Sequence, residues 1–207
     1  PDSPTPQLYS FNERARAKAL HGVAKPKVLL PVFPGSNCEY DTVRQFERYG
    51  AEAETCIIAN LTPALVEDSV QRLAAAIRQS QIIMLPGGFS GGDEPDGSGK
   101  FIATFFRNPR IKEAVMELLQ QRDGLMLGIC NGFQALVKLG LLPYGEICDM
   151  TAQSPTLTYN NIGRHQSMLV NTRIASIKSP WLAYTEVGDI HAIPISHGEG
   201  KFVASPA

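Results

Sequence analysis

Short apolar runs alternate with longer amphipathic segments from Lys27 to about Leu139. Runs of this kind are typical of buried parallel strands, and the segments between them have the apolar spacing of helices that pack on a sheet. Four strands are predicted in this way, at Lys27–Val32, Ala53–Ile58, Gln81–Leu85 and Leu125–Ile129. Because crossovers between parallel strands are right-handed, the pattern predicts a three-layer, doubly wound α/β fold with a mostly parallel sheet.

The segments around these strands predict helices, and the remaining chain is less regular. The predicted helices lie at Asp41–Tyr49, Pro63–Gln79, Gly99–Phe106, Ile111–Gln121 and Gly132–Leu139. After Leu142 two further strand-like stretches, Ser167–Ile174 and Ile190–Ile195, are expected to extend the sheet with antiparallel strands. Residues 1–26 are rich in proline near their start and carry a helix-compatible stretch from Phe11 to Leu20. We interpret them as a linker or N-terminal extension.

The predicted domain is therefore residues 27–207. The chain begins at Pro1 rather than Met, and it stops soon after a motif-rich stretch that ends at Gly200. We expect it to be a piece of a longer protein, truncated at the C-terminus of its domain.

Composition and charge exclude several classes of function. Nineteen Lys and Arg against 20 Asp and Glu give a formal net charge of −1, so nothing attracts the chain generally to nucleic acid or to a membrane surface. The apolar runs are far shorter than the roughly 20 residues of a membrane helix. The four cysteines are widely spaced, which favours a reducing, cytoplasmic setting. The histidines and carboxylates show no metal-ligand spacing, so no metal is expected.

The strongest chemical signal is Gly128–Gln134 (GICNGFQ), where a predicted strand gives way to a helix. A nucleophile on such a turn is lifted clear of the sheet, and the flanking glycines remove side chains that would collide there. The helix N-terminus favours the thiolate form of a cysteine. We therefore predict that Cys130 is a nucleophile. The alternative is a buried cysteine in an ordinary glycine-rich turn; the other three cysteines lack this setting.

A second glycine-rich turn, Leu85–Asp93 (LPGGFSGGD), follows the preceding predicted strand. Because the carboxyl ends of neighbouring parallel strands face one crevice, this turn and Cys130 are expected to meet there. Backbone N–H groups at Gly88 and Asn131 are the predicted donors to an oxyanion. The alternatives are a loop without a role or a phosphate cradle, and the cradle is disfavoured because no Lys-Ser/Thr follows at P-loop spacing.

Several stretches together carry a family resemblance that spans about residues 27–204. They are Pro34–Glu39 (PGSNCE), Pro86–Ser90 (PGGFS), Gly91–Ser98 (GGDEPDGS), the Cys130 turn and Ser196–Gly200 (SHGEG). In this order they resemble the glutaminase domain of phosphoribosylformylglycinamidine synthases, which are class I glutamine amidotransferases of purine biosynthesis. The resemblance implies a flavodoxin-like fold.

The resemblance also implies a reaction. Cys130 would attack the side-chain amide of glutamine, ammonia would leave, and water would cleave the thioester. The ammonia would pass to a synthase domain, on the same or a partner chain, that amidinates formylglycinamide ribonucleotide with ATP and magnesium. No cofactor is then expected in this domain. Gly87, Gln134, His197 and Glu199 would contact the glutamine, although by itself Gln134 could equally be simple helix surface.

One departure from the family pattern is informative. Members of the family carry a catalytic His and Glu in a Pro-His-Pro-Glu stretch near the C-terminus of the domain, and none occurs before Ala207. We therefore expect the isolated fragment to be inactive. His197 and Glu199 have the same spacing, but the resemblance places them in the wall of the glutamine site, so a role for His197 as the base is the less favoured alternative.

Other functions stay open on the sequence alone. A free-standing glutaminase subunit would share the same chemistry. A non-catalytic interaction module could keep the turn around Cys130. A redox or chaperone-like cysteine protein could share the sheet architecture, because fold alone does not fix function.

Overall fold

The computed structural model describes residues 8–11, 22–92 and 99–205. Its centre is a four-stranded parallel sheet in the order β2-β1-β3-β4. The strands are β1 (Lys27–Val32), β2 (Glu52–Ile57), β3 (Ile82–Leu85) and β4 (Leu125–Gly128). This order is that of flavodoxin-like sheets, in which the chain reverses its direction of winding between β1 and β3. The predicted doubly wound α/β fold is confirmed.

Six α-helices accompany the strands in the described part of the chain. They are α1 (Glu39–Arg48), α2 (Pro63–Gln79), α3 (Lys100–Phe106), α4 (Pro109–Gln120), α5 (Asn131–Leu139) and α6 (Leu141–Tyr144). A side-chain cap and a proline fix the start of α2. At the start of α2, the Thr62 hydroxyl accepts a hydrogen bond from the Leu65 amide at 3.2 Å, and Pro63 occupies the first helical position. None of the described helices is long and apolar enough to cross a membrane.

Apolar side chains cover both faces of the sheet, which makes three layers. On one face, Leu29 and Ile83 pack in a large cluster with residues of α2, α3, α4 and α5. On the other face, Val28, Leu30 and Met84 form a smaller cluster against α1. Successive residues of β1 thus point into opposite cores, as expected for a strand buried on both sides. This explains why the strand is an unbroken apolar run in the sequence.

The later strands form two separate antiparallel pairs. The first joins β5 (Thr156–Thr158) to β8 (Lys201–Val203), and the second joins β6 (Gln166–Arg173) to β7 (Ile190–His197). The expectation that the last two stretches extend the central sheet is wrong, because neither strand pairs with it. Most side chains of β6 and β7 are exposed, whereas a strand added inside a helix-covered sheet would be buried.

The described residues divide into two compact units. One contains residues 8–11 and 165–197, and the other contains residues 22–92, 99–164 and 198–205. Within the first unit, the Phe11 amide donates to the Ala175 carbonyl at 2.8 Å, and the Arg173 guanidinium donates to the Tyr9 carbonyl at 3.0 Å. The helix-compatible stretch predicted at residues 11–20 lies almost wholly outside the described residues. A domain boundary at residue 26 stays a prediction.

Candidate active site

Three loops follow the carboxyl ends of neighbouring strands. Residues 33–38 follow β1, residues 86–92 follow β3, and Ile129 and Cys130 follow β4. The first two loops are joined by backbone hydrogen bonds: the Asn37 amide donates to the Gly87 carbonyl at 2.9 Å, and the Phe89 amide donates to the Gly35 carbonyl at 2.8 Å. They lie where the sheet order reverses, which is the common ligand position in open α/β sheets.

Cys130 occupies a strained turn between β4 and α5. Its backbone has φ 52° and ψ −109°, a combination that non-glycine residues rarely adopt, and the residue is exposed. A Cβ on Gly128 would lie 2.6 Å from the carbonyl carbon of Gly132, and one on Gly132 would lie 2.7 Å from the Cβ of Leu85. Both flanking positions therefore require glycine, and the turn has the geometry of a nucleophile elbow.

The loop after β3 lies directly against this elbow. A Cβ on Gly87 would lie 3.4 Å from the Cβ of Cys130. Gly88 has φ 118°, and a Cβ there would lie 2.7 Å from the Asn37 nitrogen and 2.9 Å from the Ser36 Cα. Only glycine fits both the backbone conformation and the space at position 88. Within the described ranges, the Gly88 amide has no hydrogen-bond acceptor.

A chain of buried carboxamides runs from this loop into α5. The Asn131 side chain is 2% exposed; its Oδ1 accepts from the Ser90 amide at 3.3 Å, and its Nδ2 donates to Gln134 Oε1 at 3.3 Å. Gln134 is 7% exposed and donates through Nε2 to the Glu199 carbonyl at 2.8 Å. Gln134 is therefore not simple helix surface. The role of the Asn131 side chain was not predicted from the sequence, because its partner Ser90 is 41 residues away.

Glu199 presents an unusual carboxylate. Its Oε1 atom is buried and has no hydrogen-bond partner among the described residues. A buried oxygen of this kind is unfavourable unless a donor reaches it, so it indicates a place where a ligand donor can bind. The loop that carries it, residues 198–200, belongs to the same compact unit as Cys130 and Gln134.

His197 belongs to a different compact unit from the other predicted site residues. It is the last residue of β7, pairs with Gln166 of β6, and belongs to the unit of residues 165–197. The other unit contains the remaining predicted site residues, namely Gly87, Gly88, Cys130, Asn131, Gln134 and Glu199. Within that unit, close contacts and hydrogen bonds link the loop after β3, the elbow, α5 and the Glu199 loop.

The other cysteines differ in their surroundings. Cys56 is buried, and this burial raises the pKa of its thiol. Cys148 is partly buried. Cys38, in contrast, is exposed and immediately precedes α1, with a left-handed φ of 67°. This helix-terminal setting was not predicted from the sequence, because α1 begins two residues before its predicted start at Asp41.

Surface clefts in the described part of the chain lie away from the elbow. Two surface clefts of about 380 and 360 Å³ lie along α2, one against Arg110 of α4 and one against Phe101 and Phe105 of α3; Cys130 lines neither. Across the ranges that the structure describes, no three or more His, Cys, Asp or Glu side chains cluster as metal ligands do.

The fold and the elbow together define a doubly wound α/β protein that carries a cysteine between a strand and a helix. Residues 25–207 match the CobB/CobQ-like glutamine amidotransferase domain, and the chain belongs to that family. This agrees with the resemblance found in the sequence motifs.

Individual relatives give the same picture. The phosphoribosylformylglycinamidine synthase subunit PurQ of Dehalococcoides mccartyi is 38% identical over 89% of this chain and 66% of its own length. That of Rubrobacter xylanophilus is 31% identical over 87% and 68%. The solved structure of PurLQS from Thermotoga maritima superposes with a TM-score of 0.63 and 28% identity, covering 88% of this chain and 71% of that one. The chain thus spans about two thirds of the length of these PurQ relatives.

Proposed function

We propose that this chain is the glutaminase domain of a phosphoribosylformylglycinamidine synthase and supplies ammonia from glutamine. The observation that carries the proposal is the strained, exposed Cys130 elbow with the Gly87–Gly88 loop against it. Membership in the amidotransferase family and similarity to proteins named phosphoribosylformylglycinamidine synthase subunit PurQ support the same reaction.

The proposed chemistry proceeds through a thioester. The Cys130 sulfur loses its proton and forms a bond to the side-chain carbonyl carbon of glutamine, the carbon–nitrogen bond breaks, and the nitrogen takes up that proton and leaves as ammonia. Water then attacks the thioester carbon, which releases glutamate and restores the thiol. The net reaction consumes one glutamine and one water for each glutamate and ammonia, so it requires no cofactor in this domain.

The surrounding groups have distinct proposed roles. The amides of Gly88 and Asn131 would stabilise the oxyanion that forms at each step, because preorganised donors are most effective where negative charge develops. Gly87 leaves space beside Cys130, and Gln134 helps to place the substrate. The Glu199 carboxylate, whose Oε1 atom is buried, suits the α-ammonium group of glutamine. His197 is proposed as part of the wall of the glutamine site.

The partner in this proposal is a synthase domain that uses the ammonia. ATP and magnesium belong to the chemistry of that domain, and a cytoplasmic location fits purine biosynthesis. The relatives are named as subunits of a synthase, which favours a separate synthase chain over a fused one.

The test is labelling with a glutamine-mimicking diazo ketone, followed by peptide mapping. Cys38 is also exposed, so a general electrophile such as iodoacetamide is expected to modify both thiols. The diazo ketone should label Cys130 in a saturable manner that glutamine suppresses. Cys130→Ser should abolish the labelling and Cys38→Ser should leave it unchanged. Slow, non-saturable labelling of Cys130 would contradict the proposal and favour an interaction module without catalysis.

A further inference from the structure

Asn160 lies just beyond β5 and binds the loop that carries Glu199. Its backbone amide donates to the Gly198 carbonyl at 2.9 Å, and its side-chain Oδ1 accepts from the Gly200 amide at 3.1 Å. Its Nδ2 donates to the Arg164 carbonyl at 3.0 Å, and the residue is only 7% exposed. One buried residue therefore forms hydrogen bonds with both glycines that flank Glu199.

The hydrogen bonds of Asn160 continue the antiparallel ladder between β5 and β8. The β5–β8 ladder ends where Thr158 faces Lys201, and Asn160 adds two more hydrogen bonds beyond that pair. From the other side, the Gln134 side chain donates to the Glu199 carbonyl. Residues 198–200 include two glycines, whose backbone has more conformational freedom than that of any other residue, so these three bonds fix a loop that would otherwise adopt many conformations.

We propose that Asn160 is a positioning residue for glutamine binding, which acts by holding the Gly198–Glu199–Gly200 loop. It does not touch the reacting atoms; it fixes the backbone that carries the Glu199 carboxylate, whose Oε1 atom has no hydrogen-bond partner among the described residues. The inference rests on the proposed glutaminase function, and it adds Asn160 to the residues proposed above for that function. Loss of the hydrogen bond from Asn160 to Gly200 should weaken substrate binding and leave the reactivity of the Cys130 thiol unchanged.

The experiment compares Asn160→Ala, Asn160→Asp and the matched control Asn161→Ala, whose residue is the exposed neighbour. Saturation kinetics of Cys130 labelling by the diazo ketone give a half-saturating concentration and a maximal rate. Iodoacetamide gives the intrinsic reactivity of the thiol. In the alanine variant the half-saturating concentration should rise about tenfold, which corresponds to about 1.4 kcal/mol, the scale of one lost buried hydrogen bond.

The maximal rate and the iodoacetamide rate of Asn160→Ala should change by less than about threefold, and Asn161→Ala should match the wild type. Asn160→Asp keeps the acceptor for the Gly200 amide and loses the donor to Arg164, so its half-saturating concentration should lie between those of wild type and Asn160→Ala.

Three results would overturn the inference. The first is a half-saturating concentration in Asn160→Ala equal to that of wild type. The second is an equal fall in the diazo ketone and iodoacetamide rates, which would indicate a purely structural role. If circular dichroism shows Asn160→Ala unfolded, Asn160→Ser decides, because its shorter side chain cannot reach the Gly200 amide, and an unchanged half-saturating concentration in it is the third. Wild-type protein that shows no saturable labelling would instead refute the proposed function, and this inference with it.

Discussion

Gly87 and Gly88 are neighbours in sequence but need glycine for different reasons. Gly88 has a backbone φ of 118° and close backbone neighbours, so a substitution there would distort the loop itself. Gly87 has no such φ, and an added Cβ would lie 3.4 Å from the Cβ of Cys130 and 3.7 Å from the Ile129 carbonyl oxygen, which are ordinary contact distances. Gly87 is therefore the position at which the site can be altered without altering the fold.

We expect Gly87→Ala to keep the thermal unfolding midpoint within a few degrees of wild type. The methyl group beside Cys130 should slow its labelling by a glutamine-mimicking electrophile by on the order of 100-fold, because small displacements of reacting groups have effects of this size. Gly22→Ala is the matched control, since an added Cβ there meets nothing within 4 Å. Equal labelling of Gly87→Ala and wild type would show that glutamine does not approach Cys130 across this loop.

Cys56 gives a prediction about pH. Burial raises the pKa of its thiol, so the unfolded chain loses this proton at a lower pH than the folded chain. The associated stability is complete below the ordinary thiol pKa of about 8.5 and is lost as the pH rises through the raised value. The free energy of unfolding, measured in urea between pH 7 and 10, should therefore fall less steeply in Cys56→Ala than in wild type. Parallel pH profiles would contradict this.

At the scale of elements, the contact between α5 and β3 sets where the elbow lies. An added Cβ at Gly132 would collide with the Leu85 carbonyl and lie 2.7 Å from the Leu85 Cβ. Alanine is about 1 kcal/mol better than glycine inside a helix, but a clash with backbone that cannot move should outweigh that gain.

Gly132→Ala should thus lower the free energy of unfolding by about 1–3 kcal/mol, the usual effect of overpacking. The loss should appear as a lower urea midpoint with an unchanged slope. The same variant should react more slowly with the diazo ketone, because α5 begins directly after Cys130. A variant as stable as wild type would show that α5 can move away from β3 without loss.

The sequence predicted the central elements well for a physical reason. The inner strands β1 and β3 are largely buried, so each is an apolar run, whereas the edge strand β2 is largely exposed. The half-buried strand β4 was predicted at Leu125–Ile129 and is found at Leu125–Gly128. The elbow was also predictable, because its glycines lie close to Cys130 in sequence. The pairing of β6 with β7 was missed as a separate element, because exposed strands give little indication of what they pair with.

Long-range polar contacts could not be predicted at all. The hydrogen bond between Asn160 and Gly200 joins residues 40 positions apart, and no local sequence pattern indicates it. The same holds for the bond from Gln134 to Glu199, which spans 65 positions. Such contacts depend on the tertiary fold, so a sequence motif can identify a residue such as Gln134 without indicating what its side chain binds.

For the molecule as a whole, the need for a catalytic base predicts how active this chain is by itself. Thioester formation needs a base that assists the thiol and returns a proton to the leaving ammonia. The 207 residues contain no Pro-His-Pro-Glu stretch, and His197 is proposed to contact substrate rather than to act as the base. Ammonia release from glutamine by this chain alone should therefore be close to background.

The measurement is ammonia release by the 207-residue chain and by its His197→Ala variant. Both should be equally slow, while iodoacetamide still modifies Cys130, because the thiol is exposed to the reagent. Rapid release that disappears in His197→Ala would make His197 the base and would refute its assignment to the wall of the glutamine site.

The backbone conformation of Cys130 also implies a trade-off between stability and activity under natural selection. Strain of this kind destabilises the folded state by about 1–3 kcal/mol. Glycine at the same position would relieve the strain, but its more flexible unfolded chain would make folding less favourable by about 0.4–1 kcal/mol. Cys130→Gly should therefore unfold at a higher urea concentration than wild type although it can form no thioester, whereas Cys130→Ser, which keeps the strained backbone, should gain no stability. If so, selection for stability alone would remove this cysteine, and its persistence would require selection for the reaction.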